Sequence, residues 1–304
     1  MSASTQAVAG YDDDIVVPRR KPWRWVGLVV AAIVVAAIVV SFITNQNYRW
    51  DLVWRYLFDH RILSGLGTTL LLTLIGMVLA TAVGLLLAVM HQSSSAGLRA
   101  TAASYVWFFR GTPVLVQLIL WYNLAILVPR IGIGIPFGPT LWSVDTNSFI
   151  TPWSAAILGL SLNEAAYLCE IIRSGILSVD RGQGEAAHAL GMSRALAFRR
   201  VVLPQALRVI VPPAFNEAIG LLKYSSVVSV IALPELLYSG QLIYARNYQT
   251  LPVLIVVCIW YLVVVSLLTW LESRVERKLG AGFVQGVTTS TTAGRWRRWL
   301  TPNH

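Results

Sequence analysis

Glu164 stands eleven residues into an apolar run that begins at Trp153. Such a run is long enough to cross a bilayer, which puts this carboxylate near the midplane. A charged side chain at that depth costs about 2.5–3.5 kcal/mol on insertion scales, so it faces a cavity or a partner rather than lipid. Asn163 and the small Ala165–Ala166 pair beside it leave room for a cavity. There a carboxylate favours a cationic side chain or an α-ammonium group. Arg110 lies at similar depth in another run, and Gly111, Thr112 and Pro113 after it break a helix locally. Asn163, Glu164, Arg110, Asn216 and Glu217 are therefore candidate lining for a solute pathway. The plainer reading is that Glu164 only neutralises Arg110 or Arg208. Glu170 and Arg173, at i,i+3 spacing, read as a structural pair on one helix face.

A second group of residues lies in a polar loop. Glu185 to Leu190 is a short stretch of strong helix formers. Gly191 after it can take the left-handed C-cap conformation. Ser193 can N-cap a second helix, in which Pro204 predicts a kink. Two short helices meeting at a glycine make a compact knob, and its small alanines allow close approach by another surface. Read without that surface, the segment is an ordinary loop.

Membrane helices must hold these groups in place. Of 304 residues, 56% are hydrophobic and only 12% charged, with mean hydropathy +0.64. Soluble domains carry about a quarter charged residues, so a soluble enzyme, a nucleic-acid module and a disordered chain are excluded. Six apolar runs are expected to span: Trp25–Ile43, Leu66–Met90, Ala100–Leu127, Trp153–Val179, Val201–Leu222 and Tyr248–Leu271. The first is too long for a signal-peptide core and lacks a small-x-small cleavage site, so it reads as an uncleaved anchor. Basic residues cluster at Arg19–Arg24, Arg194–Arg200 and Arg274–Lys278, which predicts a cytosolic N-terminus and an even number of spans. The net charge of +10 then lies mostly at the lipid headgroups, with no nucleic-acid partner.

The loops carry further expectations. The N-terminal tail to Lys21 is polar and reads as disordered. Ile131 to Pro139 cannot form a regular helix and is expected to lie on the outer surface. Val227 to Leu237 is too short to span and is broken by Pro234, so it reads as a re-entrant or surface helix. The Gly/Thr-rich stretch Gly280–Gly294 leads to Arg295–Trp299, an expected interfacial anchor. Cys169 and Cys258 sit inside apolar runs, and the four histidines are scattered. The chain thus shows neither a disulfide framework nor metal-ligand spacing, and no metal site is expected. No internal repeat is visible, so one chain is expected to supply half of a pathway.

Here the sequence resembles a known family. Glu185-Ala186-Ala187, Gly191 four residues later, then Val201-x-Leu203-Pro204 match the cytosolic-loop signature of ABC importer permeases, with Val201 where the pattern has Ile. Gly65-x-Gly67-Thr68-Thr69-Leu70, the stretch Phe109–Gln117, Ala166–Arg173, Gly182-Gln183, Leu203-Pro204-Gln205, Asn216-Glu217 and Leu222–Ser226 resemble its polar-amino-acid branch. Tyr224 departs from the acidic residue common there. The resemblance covers Ile62 to Lys278. It implies an all-α integral membrane protein of type I importer architecture. Its parts are a cytosolic tail (1–24), an accessory transmembrane helix (25–44), a core (62–278) with coupling loop 181–200, and a C-terminal tail (279–304).

By the same resemblance, Gly182, Gln183, Glu185, Ala186, Ala187, Gly191, Leu203 and Pro204 form the contact with a cytosolic ATPase. The implied partners are a second permease subunit, two ATPase subunits that bind ATP and Mg, and an extracytoplasmic substrate-binding protein, all at a bacterial cytoplasmic membrane. The chain itself has no phosphate-binding GxxxxGK[ST] loop, so no enzymatic activity and no cofactor of its own are expected. The function implied is ATP-driven import of polar amino acids, basic or neutral ones favoured. An ion-coupled secondary transporter is the alternative, but it predicts an internal repeat with broken helices in both halves. A membrane enzyme would need a cluster of titratable groups, which the sequence does not display.

Overall fold

The computed structural model of the protein describes residues 22–134 and 140–280. The chain divides into two compact units, Met1–Arg49 and Trp50–His304. In the first, α1 (Pro22–Thr44) is followed by a 3-10 turn over Gln46–Tyr48. Asn45 caps that turn, its side chain accepting from the Asn47 N–H at 2.9 Å. The uninterrupted Val, Ala and Ile of α1 make it apolar on every face, as a lipid-exposed helix requires.

The second unit begins with α2 (Trp50–Leu57) and α3 (His60–His91). Next come α4 (Ala96–Gly111), α5 (Val114–Tyr122), α6 (Leu124–Leu127) and a hairpin of β1 (Arg130–Gly134) and β2 (Thr140–Asp145). α7 (Thr146–Phe149) and α8 (Pro152–Leu177) lead to the short α9 (Arg181–Ala189) and α10 (Arg194–Ala197). α11 (Leu203–Tyr224), α12 (Leu236–Asn247) and α13 (Thr250–Gly280) complete the described chain. Among the described residues the architecture is all-helical but for the hairpin, as expected of a type I importer permease.

Among the described residues, four helices are long and apolar enough to cross a membrane: Trp25–Thr44, His60–His91, Pro152–Leu177 and Thr250–Leu279. Two bent helix pairs, each long and apolar enough when taken together, raise the number to six if each pair is one span. α4 and α5 meet at 102°, and the helical stretch Arg194–Ile231 meets α12 at 45°. The third expected run, Ala100–Leu127, is thus two helices with the break where Thr112 and Pro113 place it. The residue before a proline is pushed out of the helical region, and Thr112 is extended at φ −120°, ψ 145°.

The structure gives form to two loops. Residues 130–134 pair with 140–145 in antiparallel register, Arg130 opposite Asp145, with an irregularity at Ile133/Gly134. The stretch expected not to form a regular helix is a strand as far as Gly134, and residues 135–139 lie outside the described residues. The break at Pro234 holds, but α12 directly beyond it is a regular twelve-residue helix. Its N-cap is Glu235, whose carboxylate accepts from the Leu237 and Tyr238 N–H groups at 2.9 and 2.7 Å. Both expected tails, to Lys21 and from residue 281 through Arg295–Trp299, lie outside the described residues.

α3 and α8 form the central seam. Gly84 makes their approach possible, since a Cβ there would sit 3.0 Å from Leu168 Cβ and 3.2 Å from the Cys169 N. α12 seals one end of α3, where Thr69 Oγ1 accepts from the Leu236 N–H at 3.1 Å. Ala80, Ala165 and Leu168 form a small apolar cluster at the seam itself, and three larger clusters surround it among the described residues. One holds Leu72, Leu118, Leu160 and Leu221, a second Ala88, Val106, Phe109 and Ile172, and a third Ile62, Leu236, Ile243 and Val257. Asp59 caps α3, accepting from the Arg61 N–H at 2.9 Å and its guanidinium at 2.8 Å. That hydrogen-bonded guanidinium holds the Asp59 carboxyl below its ordinary range.

Candidate functional site

The break between α4 and α5 opens a cavity of about 710 Å³. Arg110, Thr112 and Pro113 line it from the break, Asn163, Glu164 and Tyr167 from α8, and Glu217 and Leu221 from α11. A second cavity of about 430 Å³ is lined by Asn216, Glu217, Gly220, Lys223 and Tyr224, and shares Glu217 and Tyr224 with the first. The five residues expected from the sequence to line a pathway thus fall on these two cavities, although they come from three separate runs. Tyr224, the departure from the family pattern, lies where the cavities meet.

A broken helix leaves carbonyls without intrahelical donors. Two amides satisfy them here. Gln117 Nε2 donates to the Phe109 carbonyl at 3.1 Å, the Thr112 carbonyl at 3.1 Å and Thr112 Oγ1 at 2.6 Å. Asn163 Nδ2 donates to the same Phe109 carbonyl at 2.9 Å and to Gln117 Oε1 at 3.1 Å. Asn163 therefore both lines the cavity and clamps its wall. Gln117, buried at 3% exposure, is a functional residue that sequence reasoning misses. Its signal is a lone amide four residues after a helix-breaking proline. Replacing it with Leu strands the Thr112 carbonyl and removes one acceptor of Asn163 Nδ2, while Asn163 still serves the Phe109 carbonyl, so Gln117→Leu is expected to cost about 1–3 kcal/mol. A lowered thermal midpoint of the solubilised protein is the readout, and an unchanged midpoint would remove Gln117 from this role.

Glu164 is buried at 4% exposure, and its Oε1 has no hydrogen-bond partner. Glu217 lies near enough to interact with its carboxyl, and Arg110 faces Glu217 electrostatically. The expected pairing of Glu164 with Arg110 or Arg208 is not formed: among the described residues no cation lies within 4.0 Å of Glu164. Arg110 instead stacks its guanidinium 5.2 Å from the Tyr167 ring centre. Two carboxyl groups thus approach each other beside one arginine, an arrangement that gains from an added cation. Glu170 and Arg173 do pair, at 2.8 Å.

The knob closes as its residue types require. Asp180 caps α9, accepting from the Gly182 N–H at 2.7 Å. Gly191 has φ +77°, the left-handed region. The Met192 N–H donates to the Ala187 carbonyl at 3.1 Å and the Gly191 N–H to the His188 carbonyl at 2.9 Å, which is the Schellman pattern. Ser193 caps α10, its Oγ accepting from the Leu196 N–H at 3.4 Å. Ala187 is buried while Gln183, Glu185 and Ala186 are exposed, so the signature residues divide between inner packing and an outer face.

Pro204 lies within the helical stretch Arg194–Ile231, whose ladder is locally distorted just ahead of it. The chain widens into a π-turn over Phe198–Val202, and Pro204 enters the first turn of α11, where its missing N–H costs least. Leu203 closes the π-turn, donating to the Phe198 carbonyl.

A profile described as the inner membrane component of binding-protein-dependent transport systems matches residues 80–280. The chain belongs to that family. Its members are transport subunits, and ATP hydrolysis belongs to separate subunits. The chain is 40% identical over 277 residues to the arginine transport system permease protein ArgU of Corynebacterium glutamicum, covering 91% of this chain and 85% of that one. It is 34% identical to the probable amino-acid ABC transporter permease protein YckA of Bacillus subtilis, covering 74% of this chain and 95% of that one. Among solved structures, one described as an amino acid ABC transporter with histidines shares 36% identity at a TM-score of 0.62, covering 72% of this chain and 94% of that one. A structure of the methionine transporter MetNI, at 22% identity and TM-score 0.54, shares the fold, covering 74% of this chain and 97% of that one. An alignment of 277 residues leaves at most 27 of the permease's 304 outside it, so the match to ArgU takes in most of α1.

Proposed function

We propose that this permease carries a basic amino acid inward through the cavity between Arg110, Glu164 and Glu217. The observation that carries the reading is the Glu164 carboxyl, buried at the cavity with one oxygen unpartnered and with Glu217 beside it. A guanidinium or ammonium group supplies the charge and the donors that this pair lacks. The likeness to ArgU, whose name states arginine transport, supports the same class. A neutral polar amino acid is the second reading, favoured by Arg110, which offers a donor to a substrate carboxylate.

The chain works in a bacterial cytoplasmic membrane with both termini cytosolic. It pairs with a second permease, identical or related, above two ATPase subunits, which bind the ATP and Mg. An extracytoplasmic binding protein delivers the substrate. The α9–α10 knob sits in the ATPase cleft, with Glu185 on its exposed face. Closure of the ATPase pair moves the knobs, and the helices carry that motion to the cavity in alternating access.

The test is reconstitution of the permease with its ATPase and binding protein in liposomes. ATP-dependent uptake of labelled arginine or lysine is expected, with glutamine weaker and glutamate weakest. Uptake that favours glutamate overturns the cargo assignment. Uptake driven by an ion gradient without ATP overturns the coupling.

The α1 helix is an accessory anchor in this reading, since Val26 to Val40 offers a solute no polar group. Deleting residues 1–45 is expected to leave uptake per inserted molecule largely intact, measured against permease quantified in the same liposomes. Total loss in a well-inserted truncation would place α1 in the core.

A further inference from the structure

The fold brings together three side chains that the sequence leaves far apart. His91 ends α3, while Cys169 and Glu170 lie in α8. One ligand atom from each lies within 4.8 Å of the other two. We propose that His91, Cys169 and Glu170 form a binding site for a borderline-soft divalent cation such as Zn²⁺, bridging α3 to α8.

The seam dictates the placement. Gly84, Leu87, Ala88 and His91 follow i, i+3, i+4, i+7 spacing, so His91 shares the α3 face that packs on α8. Gly84 lets that face approach so closely that an added Cβ there would stand only 3.2 Å from the Cys169 N. Long helical side chains lean back toward the helix N-terminus, which carries the His91 imidazole toward the level of Cys169. A tetrahedral zinc with bonds of about 2.0–2.3 Å holds its ligand atoms about 3.5 Å apart. Closing the present triangle from at most 4.8 Å takes a displacement of about an ångström, which is within reach of side-chain rotation.

The chemistry of the three groups agrees with one ion. Thiolate, imidazole and carboxylate together are the donor set of zinc and cobalt rather than of magnesium or calcium. Cys169 is fully buried and closes the inner side, while His91 and Glu170 are half-buried and leave an entry. Arg173 donates to Glu170 Oε2 at 2.8 and 3.3 Å and to no other oxygen of that carboxylate, so Oε1 can turn to the ion while Arg173 holds the group in orientation. Binding releases the Cys169 thiol proton to solvent. The thiolate and carboxylate then balance the two charges of the cation, and a water completes the fourth position.

The test titrates the full permease in its assembled transporter with Co²⁺. A thiolate-to-cobalt charge-transfer band in the near ultraviolet is expected, saturating at one ion per permease chain. Cys169→Ser is expected to abolish it, and His91→Gln to weaken binding by at least about tenfold. Cys258→Ser, at the exposed cysteine, is expected to leave the band unchanged. Should Cys169→Ser not fold, the half-buried His91→Gln still decides the outcome. Absence of the band in the wild-type protein, its persistence in Cys169→Ser, unaltered affinity in His91→Gln, or its loss in Cys258→Ser overturns the site. The reading needs no transport, so it stands or falls apart from the cargo assignment.

Discussion

Gly191→Val is expected to abolish substrate-stimulated ATP hydrolysis and uptake while leaving permease levels in the membrane near normal. The effect rests on one dihedral angle. Gly191 has φ +77°, and an added Cβ would meet nothing within 4 Å. The cost of a side chain is therefore purely conformational, not steric crowding by neighbours. A β-branched residue held in the left-handed region costs on the order of 1–3 kcal/mol. The two hydrogen bonds from Gly191 and Met192 that close α9 depend on that angle. Relaxing it turns the α9 face away from α10, and the exposed Glu185 and Ala186 no longer present one surface.

A substitution series separates this from nonspecific damage. Asn tolerates the left-handed region, Ala tolerates it less, and Val least. Activity is expected to fall in the order Gly, Asn, Ala, Val, measured as ATPase stimulation by the loaded binding protein. A knob distorted by 1.4 kcal/mol corresponds to about a tenfold loss in a two-state docking equilibrium. Wild-type uptake by Gly191→Val would show that this turn plays no part in coupling.

Local chemistry makes the knob readable from sequence. Its capping residues act within four positions of themselves, so Gly191 and Ser193 declare their roles in the chain. The same holds for the Thr112–Pro113 break and for the Glu170–Arg173 pair. Depth also reads locally, because eleven residues from Trp153 fix where Glu164 lies along its helix. The features that stay hidden depend on partners distant in sequence. The approach of His91 to Cys169 spans two helices and rests on Gly84, whose absent side chain says nothing of what it meets. Glu217 beside Glu164 is a contact between α8 and α11, and neither run reveals which face turns to the other. α12 is a further case. At twelve residues it is too short to register as a span, and its start is set by a glutamate cap after Pro234 rather than by hydrophobic periodicity. Pro204 announces a local distortion, but its form, a π-turn over Phe198–Val202 that no residue type declares, is not legible in the sequence.

Glu164→Gln is expected to weaken uptake of arginine and lysine far more than uptake of glutamine. The substitution keeps the shape of the side chain and removes its charge. A unit charge about 4 Å from a substrate cation is worth about 4 kcal/mol at an effective dielectric of 20, before desolvation offsets part of it. Hydrogen bonds to charged groups contribute about 1.5–3 kcal/mol net, which sets an expected loss of roughly 10- to 150-fold for the basic cargo. Glutamine presents no side-chain charge to this position, so its uptake is expected to change by no more than a few-fold. The structure also limits the alternative. A glutamate that served only to neutralise an arginine would leave that arginine stranded when replaced, and stability would fall. Glu164 has no such cation within 4.0 Å among the described residues, and its Oε1 is unpartnered, so Glu164→Gln is expected to fold at wild-type yield. Glu217→Gln provides the contrast, because Arg110 faces Glu217 and loses a compensating charge with it. Its yield is expected to fall along with its uptake. Competition of labelled arginine and glutamine uptake in liposomes with matched permease measures both effects. Equal losses for the two cargoes in Glu164→Gln would assign this carboxylate to architecture and return the choice of substrate to the binding protein.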